Sequence, residues 1–272
     1  MAQKRRKKIV PKRNPKKAPA VFAWIFGFIG IAILCYTSCV AIDKFTVQPD
    51  SGKPKIAFVI DDIGHHRAYE GELRVLNNNV TYAILPHLRY SDHFTRLSRK
   101  TGAEVILHLP LETVDGTIPG PGLITRSMQK QQVLEILARN LDSVPRHVGV
   151  NNHMGSLGTT SVPLMDTILT ELKNRKLFFL DSQTTSDSVA ASVGTDLGVP
   201  VLSRDIFLDN VDSLSAIQVQ IERLAAASAE KGYAVGIGHF RRNTLNAIAD
   251  AIPRLRQEGF EVTSLSKLAK KK

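Results

Sequence analysis

Short apolar runs alternate with longer amphipathic stretches along most of this chain. The apolar runs are rich in Val, Ile and Phe, as β-strands are, and the stretches between them repeat apolar residues at helical spacing. A strand followed by a helix, many times over, is typical of βα units arranged around a parallel sheet. Eight strands are predicted, at Ile56–Ile60, Val80–Leu85, Glu104–Leu109, His147–Val150, Leu177–Leu180, Val199–Leu202, Tyr233–Gly238 and Phe260–Leu265.

The intervening stretches include two clear amphipathic helices, predicted at residues 129–141 and 214–229. Seven or eight βα units within residues 54–268 favour an α/β barrel, complete or distorted, over an open doubly wound sheet. The longest connection, residues 110–127, contains GTIPGPG and is predicted to be a loop at the rim of the sheet.

The N-terminal segment is predicted to be a membrane anchor. Residues 1–17 hold nine Lys and Arg and no acidic residue, and residues 20–42 are uncharged and mostly apolar. A helix of about 20 apolar residues can cross a bilayer core. The basic residues then place the first segment in the cytoplasm and the remainder outside it. We therefore divide the chain into a basic cytoplasmic arm (1–19), a transmembrane helix (20–42), a tether (43–53) and one extracytoplasmic, periplasmic domain (54–268).

Other interpretations of this segment are weaker. A cleaved signal peptide has an apolar region of only about 7–15 residues, and the sequence YTSC before Cys39 is a poor site for lipidation. The basic arm could suit nucleic acid, but it directly precedes the apolar span, so we expect no nucleic-acid partner. Both cysteines, Cys35 and Cys39, lie within the span, and the domain therefore has no disulfide.

Polar and titratable residues stand at the carboxyl ends of nearly all the predicted strands. In parallel βα folds these ends lie along one edge, where active sites are built. Taken singly, each residue could simply cap a helix or bond to a loop, but seven coincident strand ends indicate a shared site. The residues are Asp61, Asp62, His87, His108, Asn151, Asn152, His153, Asp181, Ser182, Arg204, Asp205 and His239.

Several of these residues suit a hydrolytic metal site. One carboxylate of the Asp61–Asp62 pair can bind a divalent cation while the other takes a proton from water, provided the chain turns at Gly64. His108 and His153 would complete three protein ligands and leave positions open, as catalytic zinc sites require. Two imidazoles and one carboxylate favour zinc among the divalent metals. His65 and His66 are the competing ligands.

The remaining residues suit acid catalysis. His239 is a natural general acid, and Asp181 or Asp205 could orient its imidazole ring. Arg204 could form an ion pair with Asp61 and keep that carboxylate ionised. The sequence contains no nucleophile elbow, P-loop, Rossmann fingerprint or paired CxxC, and this argues against several other chemistries.

In their order, the strings VIDDIG, HLPLE, VNNHMGS, FFLDSQTT, RDIFLD and GIGH resemble the divergent polysaccharide deacetylase family, relatives of NodB-type carbohydrate esterases. The resemblance covers residues 55–265 and implies a distorted (β/α)7–8 barrel. It further implies that Asp61 is the base, that Asp62, His108 and His153 are the metal ligands, and that His239 is the acid.

The sequence also departs from the wider superfamily. The usual enzymes take both metal histidines from one HxxxH-type motif, whereas here His108 is followed by LPLE and the second histidine stands in NNHMGS.

The sequence supports two hypotheses about function. The first is a metal-dependent hydrolase that removes acetyl groups from an envelope polysaccharide or glycan through an amide or ester bond. The second is an envelope carbohydrate-binding or scaffolding protein that keeps the fold without turnover.

Overall fold

The computed structural model describes residues 52–270. The basic arm, the predicted membrane span and most of the tether lie outside the described residues. Among residues 52–270, no helix has both the length and the apolar character needed to cross a bilayer. The strands are β1 (Lys55–Ile63), β2 (Val80–Ile84), β3 (Glu104–Leu111), β4 (Gly149–Met154), β5 (Phe178–Asp181), β6 (Val201–Ser203), β7 (Ile206–Phe207), β8 (Tyr233–His239) and β9 (Glu261–Val262).

Eight helices accompany these strands within the described residues. The two clearest predictions are confirmed with small shifts at their ends, since the described helices run from Lys130 to Ser143 and from Leu214 to Lys231. The helices are α1 (Glu70–Leu76), α2 (Ser91–Thr101), α3 (Lys130–Ser143), α4 (Val162–Asn174), α5 (Ala190–Leu197), α6 (Leu214–Lys231), α7 (Arg242–Gln257) and α8 (Leu265–Ala269).

The strands form one parallel sheet in the order β6-β5-β4-β3-β2-β1-β8-β7, with β9 beside the start of β1. This is the strand order of a βα barrel that stays open between β6 and β7. The prediction of a parallel α/β sheet is confirmed, and the sheet is a curled half-barrel. The barrel does not close because β6 and β7 follow one another with no helix between them and are only three and two residues long.

Two predicted strands are wrong in their extent, and one strand was missed. The last apolar run was predicted to form a barrel strand over Phe260–Leu265, but only Glu261 and Val262 are extended, and α8 already begins at Leu265. The fourth strand begins at Gly149 and continues through Met154. The missed strand, β7, is too short for its apolar pattern to be recognised in the sequence.

Two apolar layers hold this architecture together. Residues such as Phe58 and Ile60 of β1 pack outward against the helices. Their neighbours Ala57 and Val59 face inward, where α8 closes the amino-terminal end of the barrel with Leu265 and Leu268. Since side chains alternate along a strand, the residues that continue the inward series reach the opposite, carboxyl-terminal end of the interior.

Candidate functional site

Three candidate site residues continue the inward series of their strands. Asp61 follows Val59, His108 follows Ile106, and His239 follows Ile237, each by two positions. Asp61 and His239 are direct partners on the neighbouring strands β1 and β8. The alternation therefore places all three side chains at the carboxyl end of the barrel interior, as predicted.

A bulge in β1 brings Asp62 to the same place as Asp61. The pairing with β2 advances by three residues in β1, from Ile60 to Ile63, but by only two in β2, from Tyr82 to Ile84. Asp62 has a positive φ of 62°. The extra residue and the left-handed backbone turn two consecutive side chains toward one site. The strand β1 runs past its predicted end at Ile60 as far as Ile63, and the turn expected at Gly64, with φ of 136°, follows directly.

Asp62, His108 and His153 place one ligand atom each around a common point. The Asp62 Oδ1 atom lies 3.3 Å from His108 Nε2 and 3.1 Å from His153 Nδ1. The two imidazole nitrogens are 3.1 Å apart. Ligand atoms bound at about 2.0–2.2 Å to one zinc ion lie about 3–3.6 Å from each other. The three predicted ligands are therefore spaced as a metal site requires.

The Asp62 Oδ1 atom gives an independent test of this fit. It is buried, and despite its two imidazole neighbours it makes no hydrogen bond within the described part of the chain. A buried carboxylate oxygen without a partner is costly. Its lone pairs and those of the two nitrogens converge, so a divalent cation at this point would supply the missing partner.

A hydrogen-bond network fixes the orientation of His108. Asn151 Nδ2 donates to Asp61 Oδ1 at 3.0 Å and also to Ser182 Oγ. These two bonds direct the Asn151 Oδ1 atom toward His108 Nδ1, 2.9 Å away. His108 Nδ1 is then the protonated nitrogen. The other nitrogen, Nε2, keeps its lone pair for a metal, as in most histidine ligands whose second nitrogen is held by a neighbour.

The surroundings shift the pKa values of these groups in different directions. Burial alone would raise the pKa of Asp62, but His108 and His153 outweigh it and hold that pKa well below its usual value. Burial raises the pKa of Asp61. Burial also lowers the pKa of His153, which favours the neutral imidazole that binds metals. One carboxylate is thus kept ionised while its neighbour is made more basic, a separation suited to a ligand and a base.

His239 lies on the other side of Asp62, with its Nε2 atom 3.8 Å from Asp62 Oδ2. Its Nδ1 donates to Asp209 Oδ1 at 2.9 Å. The second oxygen of Asp209 accepts the backbone N–H of His239 and the hydroxyl of Thr244, both at 2.7 Å. Burial would lower the pKa of His239, but its bond to Asp209 and the Asp209 charge raise it. The imidazole is held with Nε2 directed toward the metal ligands.

The orienting residue was therefore misassigned from the sequence. Asp205 lies before β7, where its carboxylate accepts the N–H of Val235 and pairs with Lys231, near the amino-terminal end of β8. Asp181 accepts hydrogen bonds from Gln183 instead of His239. RDIFLD contains two aspartates, and only the second, Asp209, follows the short strand. The signal before Asp209 was a three-residue apolar run, Ile-Phe-Leu, which is too short to predict a strand by itself.

Arg204 does not pair with Asp61. Its guanidinium donates to the carbonyl oxygens of Ser182 and Gln183 at 2.7 and 2.9 Å. It also stacks over Phe207, whose ring lies 5.1 Å from that of His239. Arg204 and Phe207 therefore form a wall beside the candidate acid.

The competing histidines do not join the candidate metal site. His65 and His66 are exposed, and His66 stacks on Phe240 with ring centroids 5.2 Å apart. His87, another residue at a predicted strand end, lies 2.9 Å from the Asn140 side-chain oxygen. Neither His65 nor His66 is grouped with Asp62, His108 and His153 in the described residues.

Comparison with known proteins agrees with this architecture. The chain is 30% identical over 204 residues to an uncharacterized protein of Haemophilus influenzae, covering 75% of this chain and 73% of that protein. The crystal structure of an uncharacterized protein from Agrobacterium tumefaciens superposes with a TM-score of 0.75 at 20% identity, covering 81% of this chain and 91% of the other. A CE4 family pseudoenzyme from Bacillus anthracis shares the fold with a TM-score of 0.50 at 12% identity, covering 82% and 66%.

The family assignment rests on a sequence match that spans the whole domain. The model of the family described as divergent polysaccharide deacetylase matches residues 58–269. This range includes the β1 bulge, the three metal-type ligands and the His239–Asp209 pair. It confirms the resemblance noted in the sequence. The chain belongs to the divergent polysaccharide deacetylase family.

Proposed function

We propose that this protein is a metal-dependent deacetylase that hydrolyses an acetyl amide or ester bond on a carbohydrate of the cell envelope. The observation that carries the proposal is the arrangement around Asp62. Three metal-type ligand atoms converge, Asp61 lies beside them with its Oδ2 atom 3.6 Å from His108 Nε2, and the His239–Asp209 pair lies on the other side. A ligand set between a candidate base and a candidate acid is suited to hydrolysis.

Asp62, His108 and His153 would hold the metal, and zinc fits two imidazoles and one carboxylate. When bound, such an ion lowers the pKa of a coordinated water and polarises a carbonyl group. The side chains of Asp62 and His153 are 33% and 16% exposed, whereas that of His108 is 3% exposed, so the site opens to substrate past the first two.

The chain's own residues supply the proton transfers. Asp61 accepts a proton from the attacking water, which adds to the acetyl carbonyl carbon. The carbon–nitrogen bond then breaks, His239 Nε2 gives a proton to the leaving nitrogen, and acetate is released. Asp209 keeps Nε2 in position because it holds Nδ1. Phe207, next to His239, offers an apolar surface for the sugar.

Location is part of the proposal. Residues 20–42 would anchor the protein in the inner membrane, with residues 1–19 in the cytoplasm and the deacetylase domain in the periplasm, where envelope glycans are found. A reporter that is active only after export, fused after Lys272, should then be active. Activity of a cytoplasm-specific reporter at the same position would contradict this topology.

The decisive test compares Asp61→Asn and His239→Ala with the matched controls Asp142→Asn and His147→Ala, which change the same residue types away from the site. Acetate release from acetylated envelope glycans is measured on metal-loaded protein. The site variants should keep the metal and lose turnover by roughly 10²–10⁴-fold, with the His239 loss greater on amides than on esters. The controls should retain full activity.

A second candidate is a glycan-binding protein without turnover. The observation that favours it is that Asp61 is only 3% exposed and is bonded to Asn151; the Bacillus anthracis neighbour is also described as a pseudoenzyme. Complementation of a deletion strain separates the two candidates. Full rescue by both site variants at normal abundance would exclude the deacetylase and support the binding protein.

A further inference from the structure

A cavity lies at the opposite end of the sheet from the candidate metal ligands. Its volume is about 430 Å³. It is lined by residues at the amino-terminal ends of strands, among them Asn79 before β2 and Glu104 at the start of β3, and by Lys267 of α8. Residues 52–54 lead into β1 at this same end, so the cavity lies on the side at which the chain enters the domain. We call it the basal pocket.

Positive charge dominates the basal pocket. Arg146, Arg256 and Lys267 line it, against the single carboxylate of Glu104. Arg146 and Lys267 are exposed and have neither an ion pair nor a side-chain hydrogen bond within residues 52–270, while Arg256 donates to the Asn79 side chain. Three cations gathered around one concavity without carboxylate partners repel one another unless an anion joins them.

The single carboxylate is engaged elsewhere. Both oxygens of Glu104 lie within 3.3 Å of the backbone N–H of Ser266, in the first turn of α8, and one also accepts from the Thr81 hydroxyl. Its charge is thus directed to the start of a helix rather than to the three cations. The remaining acceptor capacity of Glu104 suits a ligand that carries hydroxyl donors as well as negative charge.

Thr263 gives a second, independent indication of a ligand. It lines the same pocket and is 6% exposed, and its hydroxyl is buried without a hydrogen-bond partner in the described part of the chain. Buried hydroxyl groups almost always have a partner, because an unpaired one is unfavourable. A ligand oxygen in the pocket would provide that partner after a rotation about the side-chain bond.

We propose that the basal pocket binds a phosphodiester that bears hydroxyl groups, such as a glycerophosphate headgroup. The guanidinium groups of Arg146 and Arg256 and the ammonium group of Lys267 donate to the phosphate oxygens, the Thr263 hydroxyl joins them, and the glycerol hydroxyls donate to Glu104. The same chemistry can come from a membrane phospholipid or from a soluble glycerophosphodiester. The proposal does not depend on deacetylase activity.

The proposal is tested by isothermal titration calorimetry, which measures the binding of phosphate-containing probes to the full-length chain in neutral detergent. Three probes separate the sources: inorganic phosphate, glycerophosphoglycerol and dihexanoylphosphatidylglycerol below its micelle concentration. Binding of both glycerol-containing probes indicates headgroup recognition, and binding of the lipid alone indicates a membrane ligand. In either case the affinity should fall as salt is added, because exposed charges are screened.

The variants decide whether binding occurs in the basal pocket. The double variant Arg146→Gln, Lys267→Gln should raise the dissociation constant at least ten-fold, whereas the matched control Lys130→Gln, Arg223→Gln, which removes two exposed charges elsewhere, should leave it unchanged. Thr263→Val should weaken binding several-fold while leaving the melting temperature of the ligand-free protein unchanged or higher. Binding of none of the probes, binding of inorganic phosphate alone, or equal binding by the double variant would overturn the proposal.

Acetate release measured on the same preparations keeps the two proposals distinguishable. The basal pocket lies at the amino-terminal ends of the strands and the metal ligands lie toward their carboxyl ends, so the double variant should keep wild-type turnover. Loss of phosphodiester binding with intact turnover supports a separate binding site. Phosphodiester binding that persists in an inactive protein would likewise leave this site standing while the proposed function fails.

Discussion

Replacement of Asp209 by Asn isolates the electrostatic role of this carboxylate from its shape. Asp209 accepts three hydrogen bonds, from His239 Nδ1, the His239 backbone N–H and the Thr244 hydroxyl. An asparagine can keep the last two with its single oxygen. Its NH₂ group must then face His239 Nδ1, which can remain bonded only by becoming the acceptor. The imidazole proton moves to Nε2, and the ring can no longer become an imidazolium without losing this bond.

The expected losses of stability and turnover in Asp209→Asn follow from this change of hydrogen bonding. One buried charge-assisted hydrogen bond is replaced by a neutral one, which should lower the free energy of unfolding by about 1–3 kcal/mol. For a domain of this size, each kcal/mol lowers the melting temperature by about 2–4 °C. Turnover should fall further, by roughly 10²–10⁴-fold, since a neutral imidazole is a poor general acid.

Three measurements check this reasoning on metal-loaded Asp209→Asn protein: acetate release, thermal unfolding and the ¹⁵N chemical shifts of the His239 ring. Asp205→Asn is the matched control, because it changes the other aspartate of RDIFLD, which lies away from His239. We expect the control to keep turnover and the His239 tautomer. An Asp209→Asn protein with the proton still on Nδ1, or with turnover within two-fold of wild type, would refute the assigned role.

Three further predictions concern the metal ligands, a surface ion cluster and the sheet. His108→Ala and His153→Ala should each abolish stoichiometric binding of one divalent ion, measured by elemental analysis; retained metal in both would disprove the ligand set. Glu70, held by Arg67, Arg74 and His93, has a pKa of about 2 instead of 4.5. It therefore stabilises the fold above pH ~4.5, by about 2 kcal/mol after allowance for the half-exposed arginines, and this contribution disappears as pH falls toward 2. Urea unfolding of Glu70→Gln should show that difference at pH 7 and little of it near pH 2.5; a pH-independent difference would contradict it. Gly236→Ala places a Cβ atom 2.6 Å from Leu224 Cδ2, so it should lower the free energy of unfolding in urea by about 1–3 kcal/mol. The control Gly198→Ala meets no atom within 4 Å, and because φ there is 67° it should add backbone strain alone.

The sequence was enough to predict the parallel sheet and the edge at which the candidate site residues lie. Both follow from local patterns, namely apolar runs of strand length and polar residues where those runs end. The candidate ligands His108 and His153 could be located in this way because each follows the apolar part of its strand. Closure of the barrel could not be predicted, because it depends on the pairing of β6 with β7, and such short strands leave too weak a pattern.

The errors at the site have the same origin. Asp205 and Asp209 flank a two-residue strand, so their assignment to opposite ends of the sheet depends on a strand that the sequence does not reveal. The Asp61–Asp62 pair raised a conflict that the sequence could not resolve, since consecutive residues of a regular strand face opposite sides. The bulge resolves it through one unpaired residue in β1, and a bulge depends on the register with β2 rather than on either strand alone.

Asn151 explains how the rigid sheet supports both halves of the proposed chemistry. Its amide accepts from His108 and donates to Asp61, so one side chain fixes the proposed metal ligand and the proposed base at once. An aspartate there could only accept, and it would add a third negative charge beside Asp61 and Asp62. A leucine would leave two buried atoms, His108 Nδ1 and Asp61 Oδ1, without a hydrogen-bond partner. The amide is the group of this size that satisfies both neighbours without adding charge, and this accounts for an asparagine on β4, where it directly faces His108 in the register of the sheet.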